Sequence, residues 1–422
     1  MTTAIKVLNM GIVASPTSAP LSRAELDTLI DAGADITGVD VSEIQDFSEL
    51  LKSKYSNTFN QDISGWEVGA ATDMSEMFRG QTAFNQNIGS WDVSSVTDMS
   101  YMFYEAKAFN QDIGSWNTSA TTGSGMIYMF YDAEDFNQDI SSWDVDQITS
   151  MTYMFANCDD FNQDISDWDV SSVTNMSYMF SGATSWNQNI VSWDTNQVSN
   201  FQYFYRDCTS FNQAMNSWDF SGVSGGNMKG FMRGCSSYNQ SVSSWDVTGL
   251  TSIQEIFHSC SSFNQSVNGW NVSNIQTFHS FLQNCTSYNQ DMNSWNTGSM
   301  TAASTVFHGC TSFNGNVSSW NVANNLDFSN MFGSCTVFAS NISGWNMANA
   351  TNISGMLSST KAFNQPIGNW NLGSCTNMST VFTTCYNGVF NAAIGSWDTA
   401  DVTNMYFMFY YVGTQFTQNI SV

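Results

Sequence analysis

Five carboxylates recur at one place in the chain. Asp144, Asp169, Asp194, Asp219 and Asp246 each follow a tryptophan, and Asn271, Asn296, Asn321, Asn346 and Asn371 fill the same place in the next five occurrences. If the segments carrying them stack as strands in register, neighbouring side chains lie about 4.8 Å apart. Like charges that close repel and raise one another's pKa unless something neutralises them. Three readings compete. In the plainest, each Asp caps the turn that follows it, or sits on a solvated face. In the second, calcium bridges neighbouring segments through Asp144, Asp169 and Asp194, since hard cations take carboxylate and amide oxygens. In the third, two of the carboxylates act as a glycosidase-type acid pair. No distinctive general acid, nucleophile triad or phosphate loop accompanies them, and Gly123-Ser124-Gly125 matches no phosphate-binding motif. No enzyme is therefore expected.

The soft ligands point the same way. Eight of the nine cysteines (Cys158, Cys208, Cys235, Cys260, Cys285, Cys310, Cys335 and Cys385) share one column, three residues after an aromatic in six coils and after Met232 or Leu282 in the other two, where other segments have Ala106, Ala133 or Ala183. A place that accepts Ala or Cys is small, apolar and buried, so free thiols are the first expectation. The spacing of stacked segments also brings neighbours within loose reach of a disulfide. No CxxC pair occurs, His258 and His308 share a column two segments apart, and His279 lies elsewhere. A transition-metal site is not expected.

What must position these residues is a repeat. The string Phe136-Asn137-Gln138-Asp139-Ile140-Ser141-Ser142-Trp143-Asp144-Val145 returns, varied but in register, from Phe59 onward. From Trp66 to Trp397 the tryptophan advances in thirteen steps, ten of 25 residues and three of 27. A fixed period of this size marks a solenoid, in which each coil touches only its neighbours. Trp91 and Val93, two apart, fit one face of a short strand. Met99, Met102 and Phe103, spaced three and four, fit one helical turn. The extra two residues fall before Met126, at Gly225-Gly226 and at 386–389, where a loop absorbs them. The Asn after the first aromatic, present in 13 of 15 coils from Asn60 to Asn391, reads as a ladder of amides bonded along the stack, with a polar binding strip as the competing reading.

Four regions follow. Residues 1–20 form a leader arm. Residues 21–58 form a helical cap, with Ser22 and Glu25 as a capping box, and a degenerate first coil with Val39 in the tryptophan column. Residues 59–413 are the repeats, and 414–422 a C-terminal half-coil. The expected fold is an α/β repeat: a right-handed, leucine-rich-repeat-like solenoid of about 15 coils, with short parallel strands on one face and single helical or 3-10 turns on the other.

Thirty-six acids against 10 Lys and Arg give a formal net charge of −26, and charged residues make up only 11% of the chain. Such a chain is repelled by nucleic acid and anionic membranes and attracts cations and basic partners. No run approaches the roughly 20 apolar residues of a membrane span. Tyr406, Phe407, Tyr410 and Tyr411 crowd the last full coil, and an apolar end of this kind suits assembly with other copies.

The pattern Phe-Asn-x-x-Ile-x-x-Trp-x-Val-x-x-Val-x-x-Met-x-x-Met-Phe-x-x-Cys, best carried by Val96-Thr97-Asp98-Met99-Ser100-Tyr101-Met102-Phe103, resembles the 25-residue repeat of bacterial surface proteins, a domain of unknown function in mycoplasma lipoproteins. It is also similar to leucine-rich-like repeats of bacterial surface antigens and to repeats in viral structural proteins. The resemblance covers residues 39–422 and implies a non-enzymatic protein of the cell surface, extracellular space or virion. Its task would be adhesion or recognition, with a cell-surface receptor or glycan as partner, or else a self-assembling fibre. Asp144, Asp169, Asp194, Asp219, Asp246, Asn271 and Asn296 are the candidate ligand-binding residues on a concave face. No cofactor is expected, calcium being the one ion weighed.

Overall fold

A computed structural model describes residues 19–385 and 388–420. The leader arm before residue 19, part of the last inserted loop and the final two residues of the half-coil lie outside them. The chain divides into two compact units, Met1–Val198 and Ser199–Val422, each assembled from stacked coils.

Unit one starts with helix α1, Arg23–Asp31. Ser22 is its N-cap: its Oγ accepts the Glu25 N–H, and the Glu25 carboxylate accepts the Ser22 N–H at 2.9 Å. Leu26 and Ile30 bury against the first coil, where Val39, Val41, Ile44, Phe47, Leu50 and Leu51 are also buried. Arg23 completes the cap. Its guanidinium donates to the carbonyls of Asp46 and Ser48, both at 2.8 Å. One coil later the corresponding carbonyls, Asp73 and Ser75, accept Phe47 N–H and Glu49 N–H, each at 2.8 Å. The arginine thus does for the first coil what a preceding coil does for the others.

Strand and helical turn are not divided between two sides as the spacing suggested. No strand forms at the Trp-x-Val stretches, and parallel bridges fall further on, as in Asp73↔Asp98, Ser150↔Asn175 and Asn352↔Asn377. From there every second N–H reaches the next coil: Met74 to Asp98 O (2.9 Å), Glu76 to Ser100 O (2.9 Å), Phe78 to Met102 O (2.9 Å) and Gly80 to Tyr104 O (2.7 Å). The N–H groups between them close turns in their own coil, Met77 to Met74 O, Arg79 to Glu76 O and Gln81 to Phe78 O.

The alternation comes from left-handed residues four apart. Glu76 (φ 58°) and Gly80 (φ 77°) are one such pair, Tyr101 and Glu105 (both φ 57°) the next. A positive φ at the third place of a turn is the type II geometry. It swings the following peptide so that N–H groups point in turn along the stack and into the coil. Spacings of three and four residues fit linked turns as well as a helix, which is why Met and Phe side chains bury here without one.

Aromatic columns fill the core. In unit one Trp66 stacks on Trp91 (centroids 6.3 Å, planes 4° apart) and Trp168 on Trp193 (6.4 Å, 2°); in unit two Trp320 stacks on Trp345 (6.4 Å, 5°). Most indoles of the column also donate into the preceding coil, as Trp143 Nε1 does to Ile113 O (3.1 Å) and Trp320 Nε1 to Met292 O (2.9 Å), Trp245 Nε1 being a buried exception. A buried aromatic removes about 150–250 Å² from water, an upper bound of roughly 4–6 kcal/mol each. No coil could bury these rings alone. Among the described residues no helix is long and apolar enough to cross a membrane.

Candidate functional site

The exposed residues after the tryptophans are first of all turn caps. Their Oδ1 atoms accept the N–H two residues on: Asp144 from Asp146 (3.2 Å), Asp169 from Ser171 (3.0 Å), Asp194 from Asn196 (3.1 Å), Asp219 from Ser221 (2.7 Å) and Asp246 from Thr248 (2.9 Å). Asn271 and Asn296 do the same for Ser273 (3.2 Å) and Gly298 (3.3 Å). A buried tryptophan before it and a buried Val, Thr or Phe after it turn this residue outward, and the Asx turn fixes it. Hydrogen bonds from Ser171 hold the Asp169 carboxyl below the usual range, and those from Thr248 do so for Asp246. Among the described residues no group of three or more His, Cys, Asp or Glu side chains is placed to hold a metal ion, so Asp144, Asp169 and Asp194 do not converge into one.

Two of the candidates do come together. Asn271 and Asn296 line a cleft of about 430 Å³ in unit two with Asn268, Gly269, Trp270, Val272 and Ser294. Asn268 and Ser294 brace it across the coils: Asn268 Nδ2 donates to Ser294 Oγ (3.0 Å), and Ser294 N–H to Asn268 Oδ1 (2.9 Å). Gly269 keeps it open. A Cβ there would meet nothing within 4 Å, whereas Ser142, Ser244 and Ser294 stand before Trp143, Trp245 and Trp295. The cleft is uncharged and rich in amide donors and acceptors. Sequence reasoning missed Asn268 and Gly269; the available signal was Gly before Trp270, a substitution that recurs only at Gly65 and Gly344 along the column. Asp219 and Asp246 lie in the same unit but outside the cleft.

The other polar columns are structural. Asn60 Oδ1 accepts Asn85 N–H, Asn85 accepts Asn110 and Asn110 accepts Asn137, each at 3.0 Å. Gln111 and Gln138 add their amides to the same acceptors. The ladder survives its exceptions: Ala339 N–H still donates to Asn314 Oδ1 (2.8 Å), since only a backbone donor is needed. All nine cysteines are free and buried. The thiols donate to carbonyls of the preceding coil, Cys260 to Met232 O and Cys285 to Phe257 O at 2.9 Å, and burial pushes the Cys285 and Cys335 thiols well up. Burial pushes His258 and His308 down.

Tyr406, Phe407, Tyr410 and Tyr411 are exposed by 64%, 47%, 46% and 59%. They lean on one another, with Tyr406 and Phe407 centroids 4.0 Å apart and Phe407 and Tyr410 4.6 Å apart. Met405 is 44% exposed where Met378, one coil earlier, is fully buried.

The family profile described as "Mycoplasma protein of unknown function, DUF285" matches residues 24–127, 124–228, 224–305, 293–388 and 326–422. Among solved structures, the chain is similar to a leucine-rich repeat protein from Eubacterium ventriosum at 12% identity and a TM-score of 0.38, over 80% of this chain and 82% of that one. It is also similar to a chain of a TLR13–ssRNA13 complex at 8% identity and a TM-score of 0.25, over 89% of this chain and 53% of that one. No curated protein matches.

Proposed function

The chain belongs to the mycoplasma protein family of unknown function DUF285, and on that premise we propose that it is a non-enzymatic recognition protein. Its fold is a right-handed solenoid of about fifteen leucine-rich-repeat-like coils. It works outside the cell, at a cell surface or on a virion, and the outward Asp and Asn column on a concave face meets the ligand. The observation that carries this reading is the cleft that brings Asn271 and Asn296 together. Uncharged amides beside Trp270 suit a hydroxyl-rich ligand, so a glycan is the first partner to test, with a protein receptor as the other.

The test is a glycan array and a cell-binding assay with the full chain, beside an Asn271→Ala/Asn296→Ala variant. Losing two amide contacts of about 1 kcal/mol each weakens binding by roughly tenfold or more. Silence of the full chain in both assays sinks the proposal. Calcium bridging through Asp144, Asp169 and Asp194 is tested separately by melting with calcium and with a chelator; an unchanged melting temperature removes it.

A second reading, assembly into a fibre or a closed oligomer, rests on the exposed Tyr406, Phe407, Tyr410 and Tyr411. Head-to-tail stacking requires a partner for the first coil's carbonyls, and Arg23 already holds them. Size in solution at micromolar concentration decides: a strict monomer ends this reading.

A further inference from the structure

A strip of half-exposed tyrosines runs along unit one, away from the tryptophan-flanking column. Tyr101 stacks on Tyr128 (4.6 Å, 7°), Tyr128 on Tyr153 (4.5 Å, 12°) and Tyr153 on Tyr178 (4.3 Å, 8°). A second row beside it stacks Tyr104 on Tyr131 (4.6 Å, 8°). The rows are tilted, Tyr101 to Tyr104 by 39° and Tyr131 to Tyr153 by 58°, so ring edges and hydroxyls form a corrugated surface.

The fold does not ask for these rings. Tyr101, Tyr128, Tyr153 and Tyr178 occupy the first left-handed place of each coil, a conformation that costs a bulky residue energy. In unit two the same place holds Tyr203 and Phe407 in the outermost coils, but Gly230, Glu255, Ser280, Thr305, Asn330, Gly355 and Thr380 in the coils between, and those stack without aromatics there. An aromatic at this place in successive coils is a property of the surface, not of the core.

Carboxylates border the strip. Glu105 and Asp132 directly follow Tyr104 and Tyr131 in the chain, and Glu134 and Asp159 lie beyond. Lys107 alone bridges Asp132 (3.2 Å) and Glu134. Burial and the neighbouring Glu134 and Asp132 charges push the Asp159 carboxyl up, the mark of acids short of a counter-charge. The chain itself shows what satisfies such a surface. The Arg79 guanidinium covers one end of the strip, 4.6 Å from the Tyr104 ring centroid and 5.4 Å from that of Tyr101, while pairing with Glu76 at 2.5 Å. In unit two, Arg206 lies 5.9 Å from the Tyr203 ring, the same column.

We propose that the tyrosine strip of unit one, with Glu105, Asp132, Glu134 and Asp159 along it, is a docking surface for an arginine-bearing segment of a protein partner. The guanidinium is planar and weakly hydrated. It lies on aromatic surface while its N–H groups reach carboxylates and phenol oxygens, which a compact, strongly hydrated ammonium does less well. Charge complementarity with a chain of net charge −26 favours the approach. This surface is separate from the amide-lined cleft, and its failure would leave the recognition reading untouched.

The test titrates the full chain with hexa-arginine and with hexalysine. Hexa-arginine should bind at least tenfold tighter. A Tyr101→Asn/Tyr128→Asn/Tyr153→Asn variant, which keeps a side chain that the left-handed backbone accepts at Asn330, should lose at least tenfold of that binding. Arg79→Ala, which vacates the ring faces and leaves the core intact, should tighten it severalfold and stands if the triple variant does not fold. Equal binding of the two peptides, a triple variant that binds as wild type, or no gain from Arg79→Ala would reduce the attraction to diffuse charge and overturn the proposal.

Discussion

A single amide illustrates how each coil is held. Asn110 Oδ1 accepts both the backbone N–H of Asn137 (3.0 Å) and the side-chain amide of Gln138 (2.7 Å). Asn110→Ala removes the acceptor and leaves those donors half-buried, so a loss of about 1–3 kcal/mol is expected in chemical denaturation. The cysteines set an alkaline limit. Burial raises the Cys158, Cys235, Cys285 and Cys335 thiols, whereas unfolded thiols titrate near about 8.5. Between those values the folded state holds more protons, so stability is full below the unfolded value and falls as pH rises past it. Melting followed across that range should show the decline, and Cys→Ala replacements in the column should flatten it. A melting temperature indifferent to alkali would mean that these thiols are not sealed from water.

At the scale of the element, the pair of left-handed residues defines the coil more than any strand or helix does. Gly182 (φ 81°) fills the second of these places, and a Cβ there would run into Asn157 Oδ1. Gly182→Ala combines that collision with backbone strain of about 1 kcal/mol or more, and a lower melting temperature is expected. Gly123 (φ 60°), in an inserted loop with nothing within 4 Å of its Cβ, should tolerate Ala at the cost of strain alone. Equal losses at the two sites would show that the collision with Asn157 contributes nothing. Coils whose left-handed place holds Glu, Ser, Thr, Asn or Tyr show that the conformation is imposed by the stack: two N–H groups per turn pair with the next coil only if the peptide between them is rotated.

For the whole molecule the governing quantities are charge and repetition. An excess of 26 negative charges is self-repelling. Raising salt from a low level to about 0.15 M, where the screening length is about 8 Å, should raise the melting temperature; a fall would mean that pairs such as Lys52–Glu76 (2.6 Å) outweigh the repulsion. The sequence alone determined the period, the capping box at Ser22 and Glu25, the buried aromatic and cysteine columns and the asparagine ladder. Each is a same-residue-every-coil requirement, and repetition writes such requirements into the chain again and again. It also marked the residue after each tryptophan as outward. Tertiary structure decided the rest. Which backbone groups pair between coils depends on the sign of φ, which Glu, Tyr and Ser do not announce, and so a helical turn was expected where linked turns form. Arg23 became a stand-in coil, Asn271 and Asn296 acquired a cleft through Gly269, and six tyrosines became one surface, because each of these depends on side chains from different coils meeting, and only the stacking register brings them together.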